Sequence, residues 1–94
     1  MSQQHTVGSH ATTISTTDRT TAIKYQNTDV VTFNSDTITL NSDGWLTMTT
    51  KLRMNQASNQ YNLGYRVHQR AGEWLVDLPD GTRIDYKDNM TITR

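Results

Sequence analysis

Only one stretch of this 94-residue chain has the period of an α-helix, and a turn opens it. The stretch runs Asn41-Ser42-Asp43-Gly44 and then Trp45-Leu46-Thr47-Met48-Thr49-Thr50-Lys51-Leu52-Arg53-Met54-Asn55-Gln56. Trp45, Met48 and Leu52 recur at i, i+3 and i+7, which places them on one helical face. Thr49, Arg53, Gln56 and Gln60 line a neighbouring polar face, and Lys51 and Asn55 form a further i, i+4 pair. Asp43 or Thr47 can cap the first turn with a side-chain oxygen. Asn62 or Gly64 can supply the left-handed residue that ends a helix. The spacing predicts a helix over residues 47–60. With one helix available, the rest of any core must come from strands.

The flanking sequence alternates accordingly. Residues 21–25, 30–33 and 37–40 are rich in β-branched and aromatic side chains and are separated by the turn clusters Asn27-Thr28-Asp29 and Asn34-Ser35-Asp36. After the helix, Leu63, Tyr65 and Val67 alternate with polar residues, and Arg70-Ala71-Gly72-Glu73 suits a tight hairpin. Trp74, Val76 and Leu78 share a face, Pro79-Asp80-Gly81 turns, Ile84 and Tyr86 return, and Met90 and Ile92 close the chain. The predicted class is α+β: three short strands, one helix, then an antiparallel four-strand β-meander packed against the helix. Trp45, Met48, Leu52, Val67, Trp74, Val76 and Ile84 form the expected core.

Two segments are expected. Residues 21–94 read as a single α+β domain. Residues 1–20 read as a polar arm, flexible or bound to a partner, because only Met1, Val7, Ala11 and Ile14 are apolar there. The hydrophobic fraction of 33% is low for a globular chain, so the core is thin. That predicts modest stability or a homo-oligomer. Net charge is zero, which argues against a nucleic-acid binder. There are no cysteines, hence no disulfide framework or thiol chemistry. No apolar run is long enough to span a bilayer, and no secretory signal is recognisable at the N-terminus. His5, His10 and His68 are too scattered for a metal site, and no cofactor motif occurs.

The chemistry concentrates at the helix start. A glycine-bearing turn feeding a helix N-terminus is suited to an anion, through backbone N–H groups and the helix dipole. Trp45, Thr47, Thr49, Thr50, Lys51, Arg53 and Asn55 are the candidate ligand- or partner-binding residues: an aromatic ring, hydroxyls, two cations and an amide. The same residues also admit a purely architectural account, in which Asp43 or Thr47 caps, Gly44 turns, Trp45 packs and the cations are solvated. The phosphate-loop pattern Gly-x-x-x-x-Gly-Lys-Ser/Thr is absent. Asp77, Asp80, Asp85 and Asp88 sit in or beside turns, where Asp is expected. Ser42 or a threonine with His68 has no nucleophile-elbow context. The chain is therefore expected not to be an enzyme.

The run from Asn41 to Gln56 resembles a motif of small bacteriophage proteins of unknown function, roughly Leu-Asn-Ser/Thr-Gly-Gly-Trp-x-Thr-x-Thr-Thr-Lys-x-Arg-Met/Ile-Asn. Asn27-Thr28-Asp29-Val30-Val31 and Gly72-Glu73-Trp74-Leu75-Val76 are similar too, so the likeness covers residues 25–90. Asp43 departs from it, standing where that family usually has its first glycine. The resemblance implies a phage origin and no particular activity. The resulting expectation is a non-enzymatic binding protein. It would act in the host cytoplasm on a host defence or metabolic factor, either a protein or a small anionic or nucleotide signal. The alternative is a minor virion or assembly component. A nucleic-acid partner is the least favoured.

Overall fold

The computed structural model describes residues 12–44 and 46–94. Strands β1 (Thr12–Thr17), β2 (Thr20–Tyr25), β3 (Thr28–Phe33) and β4 (Thr37–Leu40) precede helix α1 (Met48–Tyr61). Strands β5 (Arg66–Arg70), β6 (Glu73–Asp77), β7 (Arg83–Asp85) and β8 (Met90–Thr93) follow it. The strands make two antiparallel sheets, one in the order β1-β2-β3-β4-β8 and one in the order β5-β6-β7. The α+β class expected from the sequence is the class observed.

Local chemistry explains the tight connections. Asp18 and Arg19 both have positive φ (51° and 67°) between the paired residues Thr17 and Thr20. Ala71 and Gly72 repeat this between Arg70 and Glu73, with φ of 52° and 82°. Such two-residue turns have the twist that adjoining antiparallel strands require. Asn34 closes the β3–β4 turn by accepting through Oδ1 from the N–H groups of Asp36 and Thr37, at 2.8 and 2.9 Å.

The larger sheet carries an apolar row straight across it. Ile14 lies opposite Ile23, Ile23 opposite Val31, Val31 opposite Leu40, and Leu40 opposite Met90. A register shift beside Ile23 leaves Val30 as the extra residue of a bulge, and both Val30 and Val31 are buried. Helix α1 packs against β2, β3 and β5 and so joins the two sheets over one core. Met54 and Ala57 belong to one buried cluster with Ile23, Val31, Ile38, Leu40 and Ile92 of one sheet and Val67, Trp74 and Val76 of the other.

Four features differ from the sequence-based expectation. First, the helix buries Thr50, Arg53, Met54, Ala57 and Ser58, and leaves Met48 and Leu52 exposed at 77% and 48%. The buried face is narrow and its polar groups are satisfied. Ser58 Oγ donates to the Tyr65 carbonyl at 2.6 Å, and the Tyr65 hydroxyl donates to the Met54 carbonyl at 2.6 Å. These bonds remove the cost of burying polar atoms. Second, β8 leaves the C-terminal meander and pairs with β4, and Ile84 is exposed on the short strand β7. Pairing with β4 places Ile92 opposite Ile38 in the core, which the edge of β7 does not offer. Third, Thr12–Thr17 of the expected polar arm is a strand, because pairing with β2 satisfies its backbone without needing apolar side chains. Fourth, β5 begins at Arg66, although Leu63 and Tyr65 are buried as their alternation implied. Trp45 of the expected core, His5, His10 and the first eleven residues of the expected arm lie outside the described residues.

Candidate binding site at the helix start

The turn before the helix is organised around a carboxylate from the far end of the chain. Asn41 Oδ1 accepts from the Asp43 N–H at 3.1 Å, tightening the backbone into a turn. Asp43 and Gly44 then both take positive φ, 53° and 81°. This is the region where glycine is easiest and Asp is among the tolerated exceptions. The turn so formed aims its donors at Asp88. The Ser42 N–H and hydroxyl donate to Asp88 Oδ1 at 3.0 and 2.6 Å, and the Gly44 N–H donates to Oδ2 at 3.0 Å. The Tyr86 hydroxyl donates the carboxylate's fourth bond, the third to Oδ1, at 2.7 Å.

This arrangement shifts both titrating groups. Partial burial opposes ionisation of Asp88, but the bonds from Ser42, Tyr86 and Gly44 outweigh it and hold the carboxyl below its ordinary range. Burial, reinforced by the bond to Asp88, pushes the Tyr86 phenol above its usual value. The anion that the turn was expected to bind is thus supplied by the protein itself. No short-range sequence signal marks Asp88 for this role, because it lies more than forty positions downstream (|i−j| = 46 from Ser42).

Among the residues singled out from sequence, Thr47 is the N-cap: its Oγ1 accepts from the Thr50 N–H at 3.2 Å and lies 3.0 Å from Thr50 Oγ1. Thr50 is buried beneath that cap and Thr49 is half-buried. Lys51 places its ammonium 5.9 Å from the centroid of the Trp74 ring. Arg53 is 6% exposed. It donates from Nε to Thr12 Oγ1 at 2.9 Å and from Nη1 to Gln56 Oε1 at 3.0 Å, with its guanidinium 5.6 Å from the Tyr25 ring. Asn55 behaves like a strand residue. Its Nδ2 donates to the Val67 carbonyl at 2.8 Å and its Oδ1 accepts from the Val67 N–H at 2.7 Å, which locks α1 to β5. Trp45 lies outside the described residues.

The structure therefore separates the seven residues. Thr47 and Thr50 face a cleft of about 440 Å³ that runs between the β2–β3 turn and the helix start. Its other lining includes Tyr25, Gln26, Asn27, Thr28 and Asp43. Lys51, Arg53 and Asn55 are engaged elsewhere. Sequence reading recognised a turn at Asn27-Thr28-Asp29 but gave it no part in the site, because it is remote along the chain and looks like any polar turn. Gln26 has φ of 57°, a conformation that a lone glutamine does not advertise.

His68 and Ser42 do not meet as a nucleophile and base in the bonds they form. The His68 ring lies 3.1 Å from Asp77 Oδ1, which also accepts from Arg83 Nε at 2.8 Å, while the Ser42 hydroxyl serves Asp88. Bonds from Arg83 and then His68 hold the Asp77 carboxyl below its ordinary range. Among the described residues, no helix is long and apolar enough to cross a membrane.

Comparison with curated proteins and with solved structures gives no match. The family model described as Kyanoviridae Gp96 protein does match, over residues 1–93, which includes the N-terminal segment that the motif resemblance omitted. The chain belongs to this phage protein family.

Proposed function

We propose that this phage protein is a non-enzymatic binding protein whose target is a host protein, a defence or metabolic factor met in the host cytoplasm. Its recognition surface is the cleft between the β2–β3 turn and the helix start. The observation that carries this reading is where the donors go. The N–H groups of Ser42 and Gly44 are used by Asp88, and Arg53 is held by Thr12, Gln56 and the face of Tyr25. The turn's N–H groups and the Arg53 guanidinium, which favoured a small nucleotide, are thus engaged inside the molecule. What lines the cleft instead is Gln26 and Asn27, the hydroxyls of Thr28 and Thr47, the Tyr25 ring and the Asp43 carboxylate. Amides, hydroxyls and tyrosine make the adaptable polar contacts typical of protein recognition. The carboxylate at the rim repels phosphate and suits a basic or neutral segment.

The test is affinity capture of the tagged protein from infected cells, with proteins and small molecules read together. Asn27→Arg fills the cleft mouth, and Met48→Ser alters the exposed outer face of the helix as the control. A host protein captured by the unaltered chain and by Met48→Ser, and lost with Asn27→Arg, supports the proposal. Co-purification of a nucleotide in place of a protein, or capture unaffected by Asn27→Arg, refutes it.

A second reading, a minor virion or assembly component, is favoured by one observation: β1 is an edge strand with five of its six residues exposed. Stoichiometric abundance of the protein in purified virions would establish that reading in place of the first.

A further inference from the structure

The later turns of α1 meet the start of β5 in a second, smaller cleft. Asn62 and Gly64, with φ of 56° and 85°, reverse the chain there, so that Tyr65 and Arg66 return beside the helix. Asn55, Asn59, Tyr65 and Arg66 enclose about 240 Å³ and share no residue with the cleft at the helix start. Two of these four side chains are fixed. Asn55 uses both ends of its amide on Val67, and the Tyr65 hydroxyl donates to the Met54 carbonyl. The other two, Asn59 and Arg66, are exposed, and neither side chain has a hydrogen-bond, ion-pair or ring partner among the described residues.

Strand register explains why Arg66 is left over. Arg66 lies opposite Asp77, and Asp77 lies opposite Arg83, so one carboxylate stands between two guanidinium groups on the outer face of the three-stranded sheet. Asp77 turns to the far side. Its Oδ1 accepts from Arg83 Nε at 2.8 Å and lies 3.1 Å from His68 Nε2. Arg66 is left with an unmatched positive charge beside the cleft that it lines.

We propose that this cleft is a carboxylate subsite that receives one Asp or Glu side chain of a protein partner; this rests on the protein-binding reading above and adds a second point of contact to it. A guanidinium offers a carboxylate two parallel N–H donors, and the Asn59 amide supplies a neutral donor beside it. One cation matches one negative charge, so a phosphate dianion would remain half compensated, and a basic side chain would be repelled by Arg66. Asn55 and Tyr65 form a wall that is already ordered. Only the Arg66 and Asn59 side chains lose freedom when the cleft fills, which keeps the entropic cost of binding small.

The test is an NMR titration of the isotope-labelled full chain with the capped tripeptide acetyl-Gly-Glu-Gly-amide, whose only carboxylate is its side chain. The counterpart acetyl-Gly-Gln-Gly-amide and inorganic phosphate are the comparison ligands. Saturable shifts of the Arg66 Nε–H and the Asn59 side-chain amide are expected with the glutamate peptide, in the millimolar range of a single contact, and not with the glutamine peptide. Arg66→Gln is expected to weaken binding roughly tenfold. Arg70→Gln, which removes another exposed cation from the same strand, is expected to leave it unchanged. In capture from infected cells, Arg66→Gln is expected to lower the yield of the host protein. The titration needs no host protein, so a failed capture leaves it able to decide on the subsite, and the ligand comparison on the unaltered chain decides even if a variant misfolds. Absence of saturable shifts at these two groups, an equal response to both peptides, or tighter binding of phosphate overturns the proposal. So does equal weakening by Arg66→Gln and Arg70→Gln, or a captured host protein whose yield Arg66→Gln leaves intact.

Discussion

Asp88→Asn is the most informative single change, because it keeps the shape of the side chain and alters only its charge and one acceptor. In the native protein Oδ1 accepts from Ser42 N–H, Ser42 Oγ and Tyr86 Oη, and Oδ2 accepts from Gly44 N–H. Asparagine can keep the Oδ1 bonds in neutral form but presents an N–H donor to Gly44. A bond to a charged group is worth about 1.5–3 kcal/mol and a neutral one about 0.5–1.5. Asp88 itself is exposed at the surface, which places the loss towards the low end, at about 2 kcal/mol. For a domain of this size, that lowers the melting temperature by roughly 8–16 °C.

The pH dependence supplies the sign. The Asp88 pKa is depressed in the folded protein, so the native state favours the ionised form. Its contribution is complete above the unfolded value of about 3.9 and is lost as pH falls through the lower folded value. Melts followed by circular dichroism should therefore show a gap between native and Asp88→Asn proteins at pH 7 that narrows below about pH 4. A Ser42→Ala and Asp88→Asn double-mutant cycle isolates the bond between them. Equal melting temperatures at pH 7, or a cycle that closes with no coupling, would refute the idea that Asp88 holds the turn.

Two further outcomes follow from packing and capping. Trp74 is 8% exposed, packs at a tilt against Tyr86 with ring centroids 5.4 Å apart, and has the Lys51 ammonium over its ring, so Trp74→Ala should cost about 3–5 kcal/mol in chemical denaturation. An unchanged denaturation midpoint would contradict its burial. Thr47→Ala removes the acceptor for the Thr50 N–H and should cost about 1 kcal/mol, whereas Thr47→Ser should restore most of it.

Local order was legible in the sequence because its causes are local. Thr47 as cap, Asn62 as the left-handed terminator at φ 56° and the Ala71-Gly72 hairpin all rest on interactions within a few residues. The α+β class followed from counting one helical period among strands. The helix face was not legible, because apart from Met54 the residues it buries are small or polar. Thr50, Arg53 and Ser58 become tolerable inside only through Thr47, Thr12 and the Tyr65 carbonyl, and hydropathy cannot register such partners. The same holds for the turn at Ser42 and Gly44. The sequence by itself determined that its backbone would present donors ready for an anion. Only the tertiary structure decided that Asp88 fills them, because pairing of β8 with β4 brings the 87–89 turn against the 41–44 turn. A contact between residues that far apart depends on which strand finds which edge, and that choice minimises exposed apolar surface over the whole molecule.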